Sequence, residues 1–144
     1  MKSKKEIAKK EIVIIAGSKS DESFVKHGLD VCEELGIGYE FQVYSAHRNL
    51  EELIEYLTQV EANGETKVII AVAGLAAALP GVVAAKVKLP VIGVPCDCGP
   101  LNGMDALLSM VQMPKGVPVA TMAIGKAGMI NSIHFANKIL NICK

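Results

Sequence analysis

The sequence predicts a doubly wound α/β fold: a three-layer sandwich around a mostly parallel five-stranded sheet. Three observations lead there. β-rich apolar runs and helical stretches alternate five times along the chain. The inner runs are apolar without interruption, as expected of strands covered on both faces. The 144 residues contain no repeat, linker or low-complexity segment, and that length suits one domain that can bury a core unaided. The expected division is a basic leader over residues 1–10 and a single domain over 11–144.

The elements follow in order. Glu11 to Ala16 carries Ile-Val-Ile-Ile and reads as the first strand. Gly17-Ser18-Lys19-Ser20-Asp21 turns the chain into a helix reaching about Leu35, with Phe24, Val25, Leu29 and Cys32 on one stripe. Gly36 and Gly38 close it. Tyr39 to Tyr44 is the second strand. Asn49 is placed to cap a helix carrying Leu50, Leu53, Ile54 and Leu57, which Gly64 ends. Lys67 to Ala73 is the third strand, and Leu79 to Val87 a short helix. Pro90 to Val94 is the fourth strand, Met104 to Val111 a helix, and Val117 to Ala123 the fifth strand. A final helix is expected from about Gly128 to Ile142, with Ile130, Ile133, His134 and Ile139 near one face.

Composition excludes several classes. The chain carries 15 basic and 15 acidic residues, so no overall positive field collects nucleic acid or an anionic membrane. Trp is absent and aromatics make up 4%, which argues against a stacking platform for bases. The 18 residues from Val68 to Ala85 lack any polar side chain. On length alone they could span a membrane, but Gly74 and Pro80-Gly81 break them, and strand, turn and helix describe them better. No secretory signal is evident, and Cys32, Cys96, Cys98 and Cys143 read as reduced thiols. The expectation is a cytoplasmic protein with neither nucleic acid nor membrane as partner. Of the 15 basic residues 14 are Lys, and the single Arg is Arg48.

In doubly wound sheets ligands collect beyond the carboxyl ends of the strands. After the first strand, Gly17, Ser18, Ser20 and Asp21 offer a tight turn, two hydroxyls and a helix N-terminus. That suits an anion, most naturally phosphate, and equally an ordinary helix cap with Ser20 or Asp21 as the capping residue. After the second strand comes Ser45-Ala46-His47-Arg48. Arg grips phosphate bidentately, and an adjacent His is a ready proton carrier. After the third strand, Gly74-Leu75-Ala76-Ala77-Ala78-Leu79 offers close backbone approach without reactive side chains. After the fourth, Cys96-Asp97-Cys98 supplies two thiols, too few for a structural zinc, and reads as buried or incidental cysteines. His27 and His134, inside helices, read as structural.

Together these motifs resemble the PurE family of purine biosynthesis. The resemblance runs from about Ile12 to Ile142. It rests on Gly17-Ser18-Lys19-Ser20-Asp21, Ser45-Ala46-His47-Arg48, Ala73-Gly74 with Leu79-Pro80-Gly81, and Pro90 to Pro95. It continues through Gln112-Met113-Pro114-Lys115-Gly116 to Thr121, and Ala123-Ile124-Gly125-Lys126-Ala127-Gly128. The resemblance implies a flavodoxin-like sandwich, usually assembled as a homo-octamer, acting on a ribonucleotide and CO2 without metal, biotin or ATP. It implies that Ser18 and Arg48 hold the ribonucleotide phosphate and Asp21 the ribose hydroxyls. His47 would be the general acid/base, with Gly17, Ser20, Ser45, Ala46, Gly74, Leu75, Ala76, Ala78 and Leu79 lining the substrate.

Two reaction types occur in that family. One moves a carboxylate from N5 of carboxyaminoimidazole ribonucleotide to C4; the other carboxylates aminoimidazole ribonucleotide directly with CO2. The mutases usually read Ala-Ala-His-Leu-Pro-Gly after the third strand, where this chain has Ala78 in place of the His. The carboxylases also lack that His, but typically carry Lys where this chain has Arg48, and differ over Val111 to Gly128. The expectation is the mutase. The alternatives are the direct carboxylase or a catalytically impaired nucleotide-binding paralogue.

Overall fold

The computed structural model describes residues 9–142 and 144. Of the expected leader only Lys9 and Lys10 fall among them; the rest of it and Cys143 lie outside. Five strands form one sheet in the order β2-β1-β3-β4-β5, and all four pairings are parallel. The elements are β1 (Ile12–Ala16), α1 (Glu22–Leu35), β2 (Tyr39–Val43), α2 (Leu50–Asn63), β3 (Val68–Ala73) and α3 (Leu79–Lys86). They continue with β4 (Val91–Pro95), α4 (Met104–Val111), β5 (Ala120–Thr121) and α5 (Lys126–Ile142). The 18-residue apolar run is thus divided between β3, a loop and α3. Among the described residues no helix is long and apolar enough to cross a membrane.

Every residue of β1, β3 and β4 is buried. Alternate side chains go to opposite faces. Ile12, Ile14, Val68, Ile70, Val72 and Ile92 meet Val25 and Cys32 of α1 and Met129, Ile133, Ala136 and Leu140 of α5. Val13, Ile15, Ile69 and Ala71 meet Leu53 and Leu57 of α2, Val83 of α3 and Met110 of α4. Two helices on one face and three on the other make the three layers.

Two expectations need correction. The fifth strand is two residues long rather than seven, pairing Ile92 with Ala120 and Gly93 with Thr121. Pro118 has no N–H to give to a ladder, and the Val117 amide is used in a turn to the Pro114 carbonyl. After Thr121 the Met122 amide still reaches Gly93, and the chain then turns into α5, two residues earlier than expected. The second correction is His134, which is exposed and has no structural role in the core. The buried face of α5 is Gly128, Met129, Ser132, Ile133, Ala136 and Leu140, leaving Ile130 and Ile139 at its margins.

Gly93 sits where three elements crowd β4. A Cβ there would lie 2.9 Å from Val119, 3.0 Å from the Met110 sulfur and 3.4 Å from Pro80. Gly93→Ala is therefore expected to cost about 1–2 kcal/mol by overpacking. The check is a lower denaturant midpoint at unchanged m-value.

Candidate active site

β1 lies between β2 and β3, so the crossovers leaving β1 and β2 travel in opposite directions. The gap beyond the carboxyl ends of β1 and β3 is a topological switch point, where such sheets bind ligands. A cavity of about 630 Å³ opens there. A smaller chamber of about 110 Å³ shares much of its lining.

The loop after β1 is set by Ser18. Its Oγ accepts the Ser20 amide at 3.2 Å and lies 2.8 Å from the Ser20 Oγ, while its carbonyl accepts the Asp21 amide at 3.1 Å. These bonds fold Lys19–Asp21 into a single tight turn that runs into α1. Gly17, Ser18, Ser20 and Asp21 all line the larger cavity, and Lys19 joins them. Neither expected cap is made at α1. Asp21 occupies the capping position without a side-chain bond to the helix. Its Oδ1 instead accepts from the Cys96 thiol at 3.9 Å. Burial pushes the Asp21 carboxyl above the usual carboxylate range, against the opposing pull of the Cys96 and Ser18 contacts.

The loop after β2 is a turn stapled from within. Ser45 Oγ accepts the amides of His47 at 3.3 Å and Arg48 at 3.2 Å. Asn49 Oδ1 accepts the Ser45 amide at 2.7 Å, and the Asn49 amide returns to the Ser45 carbonyl at 3.1 Å. Asn49 does precede α2, but its side chain makes no cap bond there; it ties the turn instead. The result presents exposed His47 and Arg48 side chains to the cavity, with Ser45 beside them. Ala46 faces the smaller chamber.

The loop after β3 supplies the wall. Gly74, Leu75 and Ala76 line the larger cavity, and Ala78 and Leu79 the smaller one. Leu75 has φ of +56°, a left-handed backbone that costs a branched side chain about 1–2 kcal/mol. Strain of this kind concentrates at functional loops. A Cβ at Gly74 would strike the Cys98 sulfur and lie 3.3 Å from the Cys96 Cβ, so a side chain there would have to displace Cys98.

The structure therefore brings the four strand-end loops together around one space. Lys19, His47, Arg48 and Asp21 all line it, and two fixed cations against one carboxyl make a basic excess suited to a phosphate-bearing ligand. Sequence reasoning missed several contributors. Cys98, read as incidental, lines the larger cavity, and Ala73 and Ala77 line the smaller. Lys19 lay within the quoted motif, and its position at a strand end was the available signal. Nothing in the sequence marked the Asn49 tie or the Cys96–Asp21 contact. Among the described residues, no group of three or more His, Cys, Asp or Glu side chains could hold a metal ion.

Comparison with known proteins gives the family and the fold. A family model described as AIR carboxylase matches residues 11–144. The chain is 54% identical to the N5-carboxyaminoimidazole ribonucleotide mutase of Pseudomonas aeruginosa, covering 88% of this chain and 77% of that one. It is 55% identical to the mutase of Bacillus subtilis, covering 89% and 78%. The crystal structure of Treponema denticola PurE superposes with a TM-score of 0.84 at 28% identity, covering 92% of this chain and 81% of that one. With the fold, the cavity and these matches in hand, the chain belongs to the AIR carboxylase family.

Proposed function

We propose that this chain is an enzyme of purine biosynthesis, an isomerase that converts N5-carboxyaminoimidazole ribonucleotide to 4-carboxy-5-aminoimidazole ribonucleotide. The observation that carries the reading is the cavity in which Ser18, Asp21, His47 and Arg48 meet. The chain around that cavity is about half identical to named mutases.

In this reading the ribonucleotide phosphate lies between the Ser18 turn and the Arg48 guanidinium. Backbone amides and a planar fork are the two devices that proteins use for that anion. The Asp21 carboxylate accepts from the ribose hydroxyls. The imidazole base reaches toward Ala46, Gly74 and Ala76, where backbone can approach it closely.

The chemistry then needs one proton carrier and a dry wall. Protonated His47 delivers its proton to the exocyclic nitrogen as the N5–carboxylate bond breaks, releasing CO2. C4, made electron-rich by the neighbouring amine, attacks that CO2. Neutral His47 then removes the C4 proton and aromaticity returns. The proton spent in the first step is recovered in the last, so the reaction is a net isomerisation, and imidazole suits both directions of transfer. The apolar segment from Leu75 to Leu79 holds CO2 near C4 and keeps water from diluting it. Exposed Leu101, Met104, Leu108 and Val111 on and before α4 support a homo-oligomer in which that apolar stripe is covered.

Ala78 favours a second reading. It lines the smaller chamber at the position where family mutases carry His, and the direct carboxylases also lack that side chain. Two parallel assays separate the readings. One supplies the N5-carboxylated ribonucleotide; the other supplies the uncarboxylated ribonucleotide with bicarbonate. Rapid formation of the C4-carboxylated product only in the first is the expected result. Product only in the second would replace the mutase with the carboxylase. Product in neither, with ribonucleotide still bound, would reduce the chain to a binding module.

A further inference from the structure

We propose that Cys96 is a positioning residue for substrate binding: its thiol, carried on the end of β4, donates to Asp21 Oδ1 and holds that carboxylate ready for the ribose hydroxyls. The proposal rests on the role given to Asp21 above and adds a residue that does not itself reach the ligand.

The contact joins two elements far apart in sequence. Asp21 follows β1, while Cys96 follows Pro95 at the end of β4, and their side chains meet at 3.9 Å, a long contact within the reach of the large sulfur atom. Cys96 is 3% exposed and is absent from the lining of both cavities. Its amide donates to the Ala73 carbonyl at 3.0 Å, so the backbone that aims the sulfur is fixed by the sheet. Asp21 by contrast lines both cavities. Among the described residues, the Cys96 thiol is the one side chain that hydrogen-bonds to its carboxyl.

The physical consequence is a carboxylate held from the protein side by the Cys96 thiol and the Ser18 backbone, with its remaining lone pairs left for a ligand. Without the thiol the carboxylate keeps only the Ser18 backbone contact and turns more freely toward solvent, and a substrate would then have to order it on binding. The thiol is a durable donor. Burial foremost, then the Asp21 charge, pushes its ionisation well above the usual thiol range, so the proton stays on sulfur. The same proton partly offsets the rise that burial imposes on Asp21.

Two substitutions at Cys96 give opposite rankings under the two accounts of this residue. Cys96→Ser keeps a donor; Cys96→Val keeps apolar bulk and removes the donor. If Cys96 merely fills space, Val is tolerated and Ser, burying a hydroxyl, is the worse of the two. If Cys96 positions Asp21, the ranking inverts. The measurement is steady-state kinetics with N5-carboxyaminoimidazole ribonucleotide on the full chain, with thermal unfolding recorded for each variant to select folded protein. Cys96→Val is expected to raise KM about three- to tenfold, the worth of one net hydrogen bond, at nearly unchanged kcat. Cys96→Ser is expected to stay within about twofold of the parent KM. In the Asp21→Ala background Cys96→Val should add nothing, because the acceptor it serves is gone.

The outcomes are separable. A raised KM in Asp21→Ala with an unchanged KM in Cys96→Val overturns the positioning role and leaves the Asp21 reading standing. An unchanged KM in Asp21→Ala overturns the Asp21 reading itself. A Ser variant impaired more than the Val variant assigns Cys96 to packing.

Discussion

His47→Asn lowers kcat by about a hundred- to ten-thousand-fold, the range that a positioned acid/base supplies, while ribonucleotide binding stays close to that of the parent chain. The geometry explains the split. The His47 amide, not its ring, is tied into the turn by Ser45 Oγ at 3.3 Å. Replacing the ring leaves the Arg48 amide bond and the Asn49 tie in place. In the proposed binding mode the phosphate and ribose contacts lie on other residues, so the ground-state complex is expected to survive. What is lost is the group that gives a proton to the leaving nitrogen and takes one from C4. Single-turnover kinetics with a parallel binding measurement checks this. Full activity in His47→Asn would remove His47 from the chemistry.

Arg48→Lys raises the ribonucleotide dissociation constant about ten- to hundredfold, the equivalent of losing a charge-assisted pair of hydrogen bonds. The charge is retained in this variant, so general attraction to an anion is not what changes. Lys offers a point charge on a flexible stem, whereas guanidinium presents a planar fork that matches two phosphate oxygens. The chain uses Lys at 14 of its 15 basic positions and keeps Arg at this one. Elsewhere a solvated cation is sufficient. Titration calorimetry with the ribonucleotide, and with the dephosphorylated nucleoside as control, measures the effect. The nucleoside should bind parent and variant alike. An unchanged affinity for the ribonucleotide would count against a phosphate contact at Arg48.

The central strands were the easiest part of the fold to read. Strands buried on both faces must be apolar at every position, and Ile12–Ala16 and Val68–Ala73 are. The edge was harder. Val117 to Ala123 looks like a strand by residue type, yet Pro118 cannot donate and only Ala120–Thr121 pair. The phase of α5 was obscured because small residues carry part of its buried face. Gly128, Ser132 and Ala136 pack against the core, and a count of large apolar side chains passes over them. Strand ends also made the candidate site residues legible, since topology sends the loops after β1, β2 and β3 to one place. Contacts between side chains distant in sequence were not legible. The Cys96–Asp21 pair spans 75 positions, and no periodicity encodes which way either side chain turns. The Asn49 tie was hidden for a related reason, because the residue sits at a capping position while its side chain bonds backward to Ser45.

The central claim is that one cavity breaks and remakes the bond to a single carboxylate while holding CO2 between the two steps. A single turnover of N5-carboxyaminoimidazole ribonucleotide labelled with carbon-13 in the N5 carboxylate, run in excess unlabelled bicarbonate, tests it directly. The account predicts that the C4 carboxylate of the product retains nearly all of the label. Product carrying mainly unlabelled carboxylate would contradict it.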